Sequence, residues 1–233
     1  MPLTIASTPE WKSVYPGAQI GILEIGGVDN TQPAPALESN KRLVEQRLCQ
    51  SFASFSRKEI LELPVMIAYQ HYYKKFEKTY HVLLQLESIV LKGKSLPNVS
   101  PLVDACFLAE VETLILTASH DVGRLKPPLM IDVTRSGDKF TRMNGEPKTL
   151  PPSDMAMRDQ TGVVCTILYG QDNISPVSKS TNHVMYVSYV PAGIEKTQVE
   201  HHLALIEKYV REFAPGCVVE QSVVLSTQLS SCH

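Results

Sequence analysis

The sequence predicts an α+β fold. Three helical patterns crowd residues 37–92, β-rich runs follow between residues 129 and 190, and an amphipathic helix leading into a strand comes last. Helices and strands grouped in this way, without regular alternation, give separate layers of an α+β protein in place of βαβ units. The 233 residues are 43% hydrophobic and 20% charged, close to globular averages. A chain of this size buries about three quarters of its unfolded surface, so a substantial core is expected.

Ala18 to Gly26 reads as a strand, with Pro16-Gly17 before it and Gly26-Gly27 after it. Those glycines open no phosphate-binding loop, because no G-x-G-x-x-G or Walker pattern follows and Pro33 and Pro35 interrupt. From Leu37 to Phe55 the pattern turns helical, with Val44, Leu48, Phe52 and Phe55 on one stripe. Ser56-Arg-Lys-Glu59 is a capping box that starts a second helix, which Pro64 is expected to bend.

Tyr69 to Tyr80 interleaves aromatics with Lys74, Lys75 and Lys78, a composition that suits RNA backbone contact and base stacking. The same spacing also makes Tyr69, Tyr72, Tyr73 and Phe76 the core stripe of a helix with solvated lysines, and that reading carries more weight. A third helix starts near Thr79, buries Val82, Leu83, Leu86, Ile89 and Val90, and ends at Lys92-Gly93.

A further helix has Ser100 as N-cap and Pro101 in its first turn, and runs to about Leu116. Thr117 to Asp121 leads into a turn, and Pro127-Pro128 rules out more helix. Leu129 to Thr134 is a strand, with Phe140 to Met143 expected as its hairpin partner across Arg135 to Lys139. A second turn at Asn144-Gly145-Glu146 and the Pro151-Pro152 pair lead to Met155 to Asp159.

Gly162 to Pro191 has the shape of a site. Two β-rich runs, Val163 to Tyr169 and Val184 to Val190, flank a polar loop, as paired strands do when they present a binding loop. Ile194 to Phe213 is the clearest amphipathic helix, stopped by Pro215-Gly216. Cys217 to Leu225 is a last strand, and Ser226 to His233 is expected to be a frayed tail.

The net charge of −2 and a sequence pI near 6.4 supply no global field toward nucleic acid or an anionic membrane, so any RNA contact needs a local patch. Five scattered cysteines, without a C-x-x-C pair and odd in number, argue for reduced thiols. With no signal-peptide pattern and no window of about 18 apolar residues, a cytoplasmic protein without membrane contact is expected.

No metal is expected: His120-Asp121 and His201-His202 lack ligand spacing. Cys106 and Cys165 sit in apolar runs and read as small core residues, not nucleophiles. Asp104, Asp121, Asp132, Asp159 and Asp172 remain as candidates for chemistry, with capping and turn formation as their ordinary work.

The order of motifs resembles a family. Leu96-Pro-Asn-Val-Ser-Pro-Leu-Val-Asp104, the turn at His120-Asp121, Asn144-Gly145-Glu146, Asp159 with Gly162-Val163, and the Gly170 to Thr181 loop into Val184 to Val190 together resemble the B3/4 domain of the phenylalanyl-tRNA synthetase β subunit, in particular the free-standing B3/4 proteins of bacteria. The resemblance covers roughly residues 70 to 190. It implies a PheT/TilS-like sandwich of mixed β-sheets with N-terminal helices and a C-terminal helix-strand. The whole chain would be a single B3/4-type domain, its core at about residues 70–225 and residues 1–69 packed on it.

In the synthetase this domain edits mischarged tRNA, and the resemblance carries substrate contacts onto particular positions. These are Asn98, Asp104, Ala105, Cys106, Ala118, His120, Asp121, Gly170, Gln171, Asp172 and Thr181. Four of them depart from the family's pocket. Ala105-Cys106 stands for a Thr-Asn pair, Ala118 for a histidine, with His120 two residues on, and Gln171 for a glutamate. A neutral amide donates and accepts hydrogen bonds but is no general base at neutral pH. Binding of the aminoacyl end of tRNA is therefore expected ahead of hydrolysis, without a cofactor, and with RNA contacts through Lys74, Lys75, Lys78, Lys92 and Lys94. A trans-acting esterase clearing mischarged tRNA and a binder of a free amino acid or metabolite are the alternatives.

Overall fold

The computed structural model describes residues 2–227. The expected tail from residue 228 onward, Cys232 included, lies outside the described residues. In chain order the elements are β1 (Ile5–Ser7), α1 (Pro9–Val14), β2 (Gln19–Gly26), α2 (Pro35–Ser51), α3 (Arg57–Leu61), α4 (Pro64–Lys74), α5 (His81–Val90) and α6 (Pro101–Thr113). They continue with β3 (Thr117–Asp121), a 3₁₀ turn at Val122–Arg124, β4 (Leu129–Val133), β5 (Lys139–Thr141), β6 (Pro147–Thr149), β7 (Met155–Asp159), β8 (Gly162–Thr166), β9 (Gly170–Gln171), β10 (His183–Val190), α7 (Lys196–Phe213) and β11 (Val218–Ser226). The fold is α+β, as expected.

Two sheets carry the core. One runs β1-β4-β7-β8-β9, the other β11-β2-β10-β3, and β5-β6 forms a separate ribbon. All eight residues of β2 are buried, because α7 covers one face at close range: a Cβ added to Gly21 would stand 2.9 Å from Val199 Cγ1. One hydrophobic cluster joins the strands of both sheets to α4, α5, α6 and α7.

Helix α4 is the cross-piece between the sheets, and its tyrosines explain the aromatic-lysine stretch. Tyr69 donates to the Tyr189 carbonyl at 2.7 Å and accepts the Leu116 N–H at 3.0 Å. Tyr73 donates to the Ile167 carbonyl at 2.7 Å, and Tyr72 reaches the start of β7. These rings are buried, so base stacking on Tyr69, Tyr72 or Tyr73 gives way to the core stripe. A buried phenol needs a partner for its hydroxyl, and each of these three hydroxyls finds one on a strand end or its approach.

Several local expectations are corrected. Pro64 does not bend one helix but begins another: α3 stops at Leu61 and Pro64 takes the first turn of α4, where its missing N–H costs nothing. Thr117 to Asp121 is a strand paired antiparallel with β10, so His120-Asp121 is strand and not turn, and the turn at Gly123 follows it at Val122–Arg124. β4 pairs with β1 and β7, not with residues 140–143; the hairpin is β5-β6, closed by Asn144-Gly145. β8 and β10, expected as partners, lie in different sheets, so the loop between them crosses the sandwich. The capping box at Ser56 and Glu59 forms as read. β1 and α1 were not anticipated; the cap that starts α1, Thr8 accepting the Trp11 N–H at 3.1 Å, buries Trp11.

Candidate functional site

A cavity of about 360 Å³ lies where the β8-β9 edge of one sheet meets α5, α6 and the β3 side of the other. That volume is in the range of small-ligand sites. Phe107, Leu116, Cys165 and Ile167 make its apolar wall, and Gln85, Glu110, Thr117 and Gln171 bring polar groups into it. Exposed or half-exposed His81, Arg142, Met143, Asn144 and Tyr169 form the mouth.

Each polar group is set by its element. Gly170, at φ +73°, takes a left-handed conformation that favours glycine and turns the chain into the short strand β9. Gln171 there donates its amide N–H to the Ser119 carbonyl of β3, which bridges the two sheets beside the cavity. Glu110, 2% exposed, accepts the Thr117 N–H on Oε1 at 2.7 Å. Burial pushes its pKa up to about 8, because the charged form loses its hydration. The carboxyl is therefore protonated at neutral pH, and the cavity interior carries no net charge.

The residues anticipated as substrate contacts fall into four places. Ala118, Gly170 and Gln171 line this cavity. Asn98 and Asp104 line a second one, of about 450 Å³, between the starts of α2 and α6. There the buried Lys41 ammonium donates to Asn98, to the Pro97 carbonyl at 2.8 Å and to Asp104 at 3.1 Å. His120, Asp121, Asp172 and Thr181 line neither. They latch the β9–β10 loop onto β3: Ser175 Oγ donates to Asp172 at 2.6 Å and meets His120 Nδ1 at 2.8 Å, while Thr181 donates to Asp121 at 2.7 Å. His120 is fully buried and burial lowers its pKa to about 3, so it is neutral. Ala105 and Cys106 are core residues of α6, and burial raises the Cys106 thiol, which makes it inert.

The lysines divide as well. Lys78 lies 5.9 Å from the Tyr169 ring centroid and Lys148 4.7 Å from it, at the mouth of the first cavity. Lys74 lines a separate groove with Arg57 and Glu77, Lys75 sits over Tyr15 at 5.2 Å, and Lys92 and Lys94 belong to the α5–α6 loop and line neither cavity. His202 keeps both ring nitrogens on hydroxyls, Thr113 at 2.7 Å and Thr117 at 2.6 Å, a packing role. Among the described residues no three His, Cys, Asp or Glu side chains cluster as a metal site, and no helix is long and apolar enough to cross a membrane.

Sequence reasoning missed Glu110, Gln85, Arg142 and Lys148. The signal for Glu110 was present: it stands in the run Leu108-Ala-Glu-Val, three residues after Phe107, on a helix turn that is otherwise apolar.

A profile of the B3/4 domain matches residues 67–215. The chain belongs to the B3/4 domain family. Every residue lining the first cavity falls inside the matched segment, whereas more than half of those lining the second, from Asn30 to Glu38, precede it. The B3/4 fold extends to a solved structure, that of an N-terminal fragment of the phenylalanyl-tRNA synthetase β-subunit from Pyrococcus horikoshii. It is similar at a TM-score of 0.50 and 11% identity, over 96% of this chain and 54% of that one. The B3/4 protein thus spans about half the length of that relative. No curated protein sequence matches the chain.

Proposed function

We propose that this B3/4 protein binds the aminoacyl end of a tRNA, with the aminoacyl group in the first cavity and without synthetase activity. The observation that carries the reading is the polarity of that cavity. Its interior is uncharged and largely apolar, and its mouth holds Lys78 and Lys148 over an accessible aromatic ring, with Arg142 beside them. A charged tRNA terminus has the matching order: phosphates that remain outside, a base able to stack, and a small organic group that enters. Arg142 is paired with Glu146, so the two lysines supply most of the free positive charge. With a net charge of −2, such binding is local and salt-sensitive.

Retention fits the interior better than turnover. Gln171 cannot accept a proton at neutral pH, and Glu110 is held in its acid form below about pH 8. One observation favours the esterase as a second reading: a carboxyl titrating near pH 8 becomes a usable base just above neutrality.

Filter binding of a panel of aminoacyl-tRNAs and the same tRNAs uncharged, at low and physiological salt, tests the proposal. Tighter binding of charged species is expected. Equal binding of both would remove the aminoacyl group from the cavity, and no binding of either would sink the RNA reading in favour of a metabolite pocket. Following deacylation in the same mixtures at rising pH decides the esterase, which requires turnover faster than buffer.

A further inference from the structure

The first cavity contains a buried carboxyl and an unpartnered amide oxygen that its apolar walls do not explain. Glu110 is nearly inaccessible, yet it borders the cavity, and its Oε1 takes the Thr117 N–H. Gln85, one turn into α5, lines the same space with its side-chain oxygen buried and without a donor. Gln171 spends one of its two amide N–H groups on Ser119, and its oxygen is an acceptor. A buried acceptor without a donor costs about 1–3 kcal/mol, so the Gln85 oxygen, in one cavity with a carboxyl able to ionise, suits a group made of donors alone. A primary ammonium, with three N–H donors and no acceptor, is that group.

We propose that Glu110, with the Gln85 side-chain oxygen in the same cavity, receives the primary ammonium group of the cavity's ligand and gives up its proton when that ammonium arrives. The inference rests on the reading of this cavity as the ligand site and deepens it by naming the chemical class of the group that enters first. For an aminoacyl terminus that group is the α-amine. In the step itself the Glu110 O–H bond breaks, its proton passes to bulk water, and the carboxylate so formed pairs with the ammonium; no other bond changes.

The surroundings leave Glu110 as the group that must respond. On its own helix Cys106 faces it, from α4 Tyr69 and Tyr73, from the start of α5 Tyr80, and burial holds all four in their neutral forms. Across the cavity the Cys165 thiol on β8 is pushed up to about 12. His81 and Arg142 stand at the mouth. An incoming cation therefore finds no resident anion in the interior, and the one carboxyl that lines it becomes an anion by ionising. Because that carboxyl titrates near pH 8 in the empty cavity, amine affinity below that pH carries the cost of deprotonation.

Primary alkyl- and arylalkylamines, each paired with its isosteric alcohol, are the probes, measured by titration calorimetry in two buffers of different ionisation enthalpy. Below pH 8 close to one proton should be released per amine bound. Amine affinity should rise about tenfold per pH unit up to about pH 8 and then level off, while the alcohols show no such slope. Glu110→Gln keeps an acceptor for the Thr117 N–H and should abolish both the proton release and the preference for amine over alcohol. Gln85→Met should weaken the amines selectively while leaving the proton release in place. Failure of every amine to bind more tightly than its alcohol, or amine binding to the unmodified protein without proton release, overturns the inference. Charged tRNA bound without proton release would overturn it while leaving the tRNA reading intact; amines bound with proton release by a protein that ignores tRNA would support it and sink the tRNA reading.

Discussion

The Tyr72 hydroxyl donates to Asp154 Oδ1 at 2.6 Å and accepts the Met155 N–H at 2.7 Å. One oxygen on α4 thereby holds both the carboxyl that precedes β7 and the first amide of that strand. Asp154 Oδ2 in turn accepts the Leu168 N–H at 3.3 Å, which ties the turn after β8 to the same point. The cavity's Cys165, Thr166 and Ile167 lie between these anchors, so the wall of the site is positioned from a helix that contributes no side chain to it.

Tyr72→Phe should therefore destabilise the protein by about 2–4 kcal/mol, because it leaves the Met155 N–H without an acceptor and Asp154 without its strongest donor in a buried place. Denaturant unfolding reads the loss as a lower midpoint at unchanged slope. A change within about 0.5 kcal/mol would show that the hydroxyl is not part of the anchoring.

Stability should fall as pH rises through neutrality. Burial raises Asp154 from an ordinary 3.8 to about 7 and Glu110 from 4.5 to about 8. For an acid whose pKa is higher in the folded state, the folded chain binds the proton more tightly. Its contribution is complete below the unfolded pKa and is lost as pH climbs through the folded one. The decline should thus run from about pH 4 to about pH 8, and Glu110→Gln should flatten its upper part. Urea midpoints at a series of pH values check this; stability rising toward pH 8 would contradict the assignment.

Much of the fold was legible because helix periodicity and turn residues are local signals. Val199, Leu203, Ile206 and Val210 mark α7, and Ser56 with Glu59 marks the start of α3. Strand pairing was not legible, since β4 and the run at 139–141 are joined by a glycine-containing turn like any hairpin, and what denies them each other is the distant β1 and β7. Thr117 to Asp121 did not read as a strand because it is polar. It is a strand because Thr117 meets Ser188 and His202, and His120 meets Ser175, partners 55 residues or more away. For the same reason Gln171 could be placed near a site from its neighbours in sequence, whereas Glu110 looked like one more charge on a helix.

Gly21→Ala tests how closely α7 lies on the sheet. Gly21 has no left-handed conformation to protect, but an added Cβ would meet Val199 Cγ1 at 2.9 Å and Leu203 Cδ2 and Ser188 Cβ at 3.3 Å. Overpacking of this kind costs about 1–3 kcal/mol. If Val199 is the obstacle, Val199→Ala in the same chain should be less harmful than the two changes summed. Strict additivity in unfolding measurements would place the obstacle elsewhere.

Charge reversal separates the lysines at the mouth from the others. Lys78→Glu with Lys148→Glu should weaken tRNA binding and lower the slope of log affinity against log salt by about 2, one for each phosphate no longer neutralised. Lys92→Glu with Lys94→Glu changes net charge by the same amount away from the cavity and should act only through the weak general field. Equal losses in the two double variants would point to non-specific attraction.

Ala118→Leu separates the cavity from the surface around it. Ala118 is half-buried on β3 and lines the cavity next to Gln171, so a longer apolar side chain there can extend into empty space without displacing packed atoms. Stability should change by less than about 1 kcal/mol, since burial of the added carbons offsets the lost rotamer freedom. The added bulk should take up room that an aminoacyl group needs. Affinity for charged tRNA should then drop to that for uncharged tRNA, while affinity for uncharged tRNA, which depends on Lys78 and Lys148 outside, should hold. Full preference for charged tRNA in a folded Ala118→Leu protein would mean that the aminoacyl group is recognised somewhere else, and the second cavity, with Asn98, Asp104 and Lys179 at its edge, would be the next place to test.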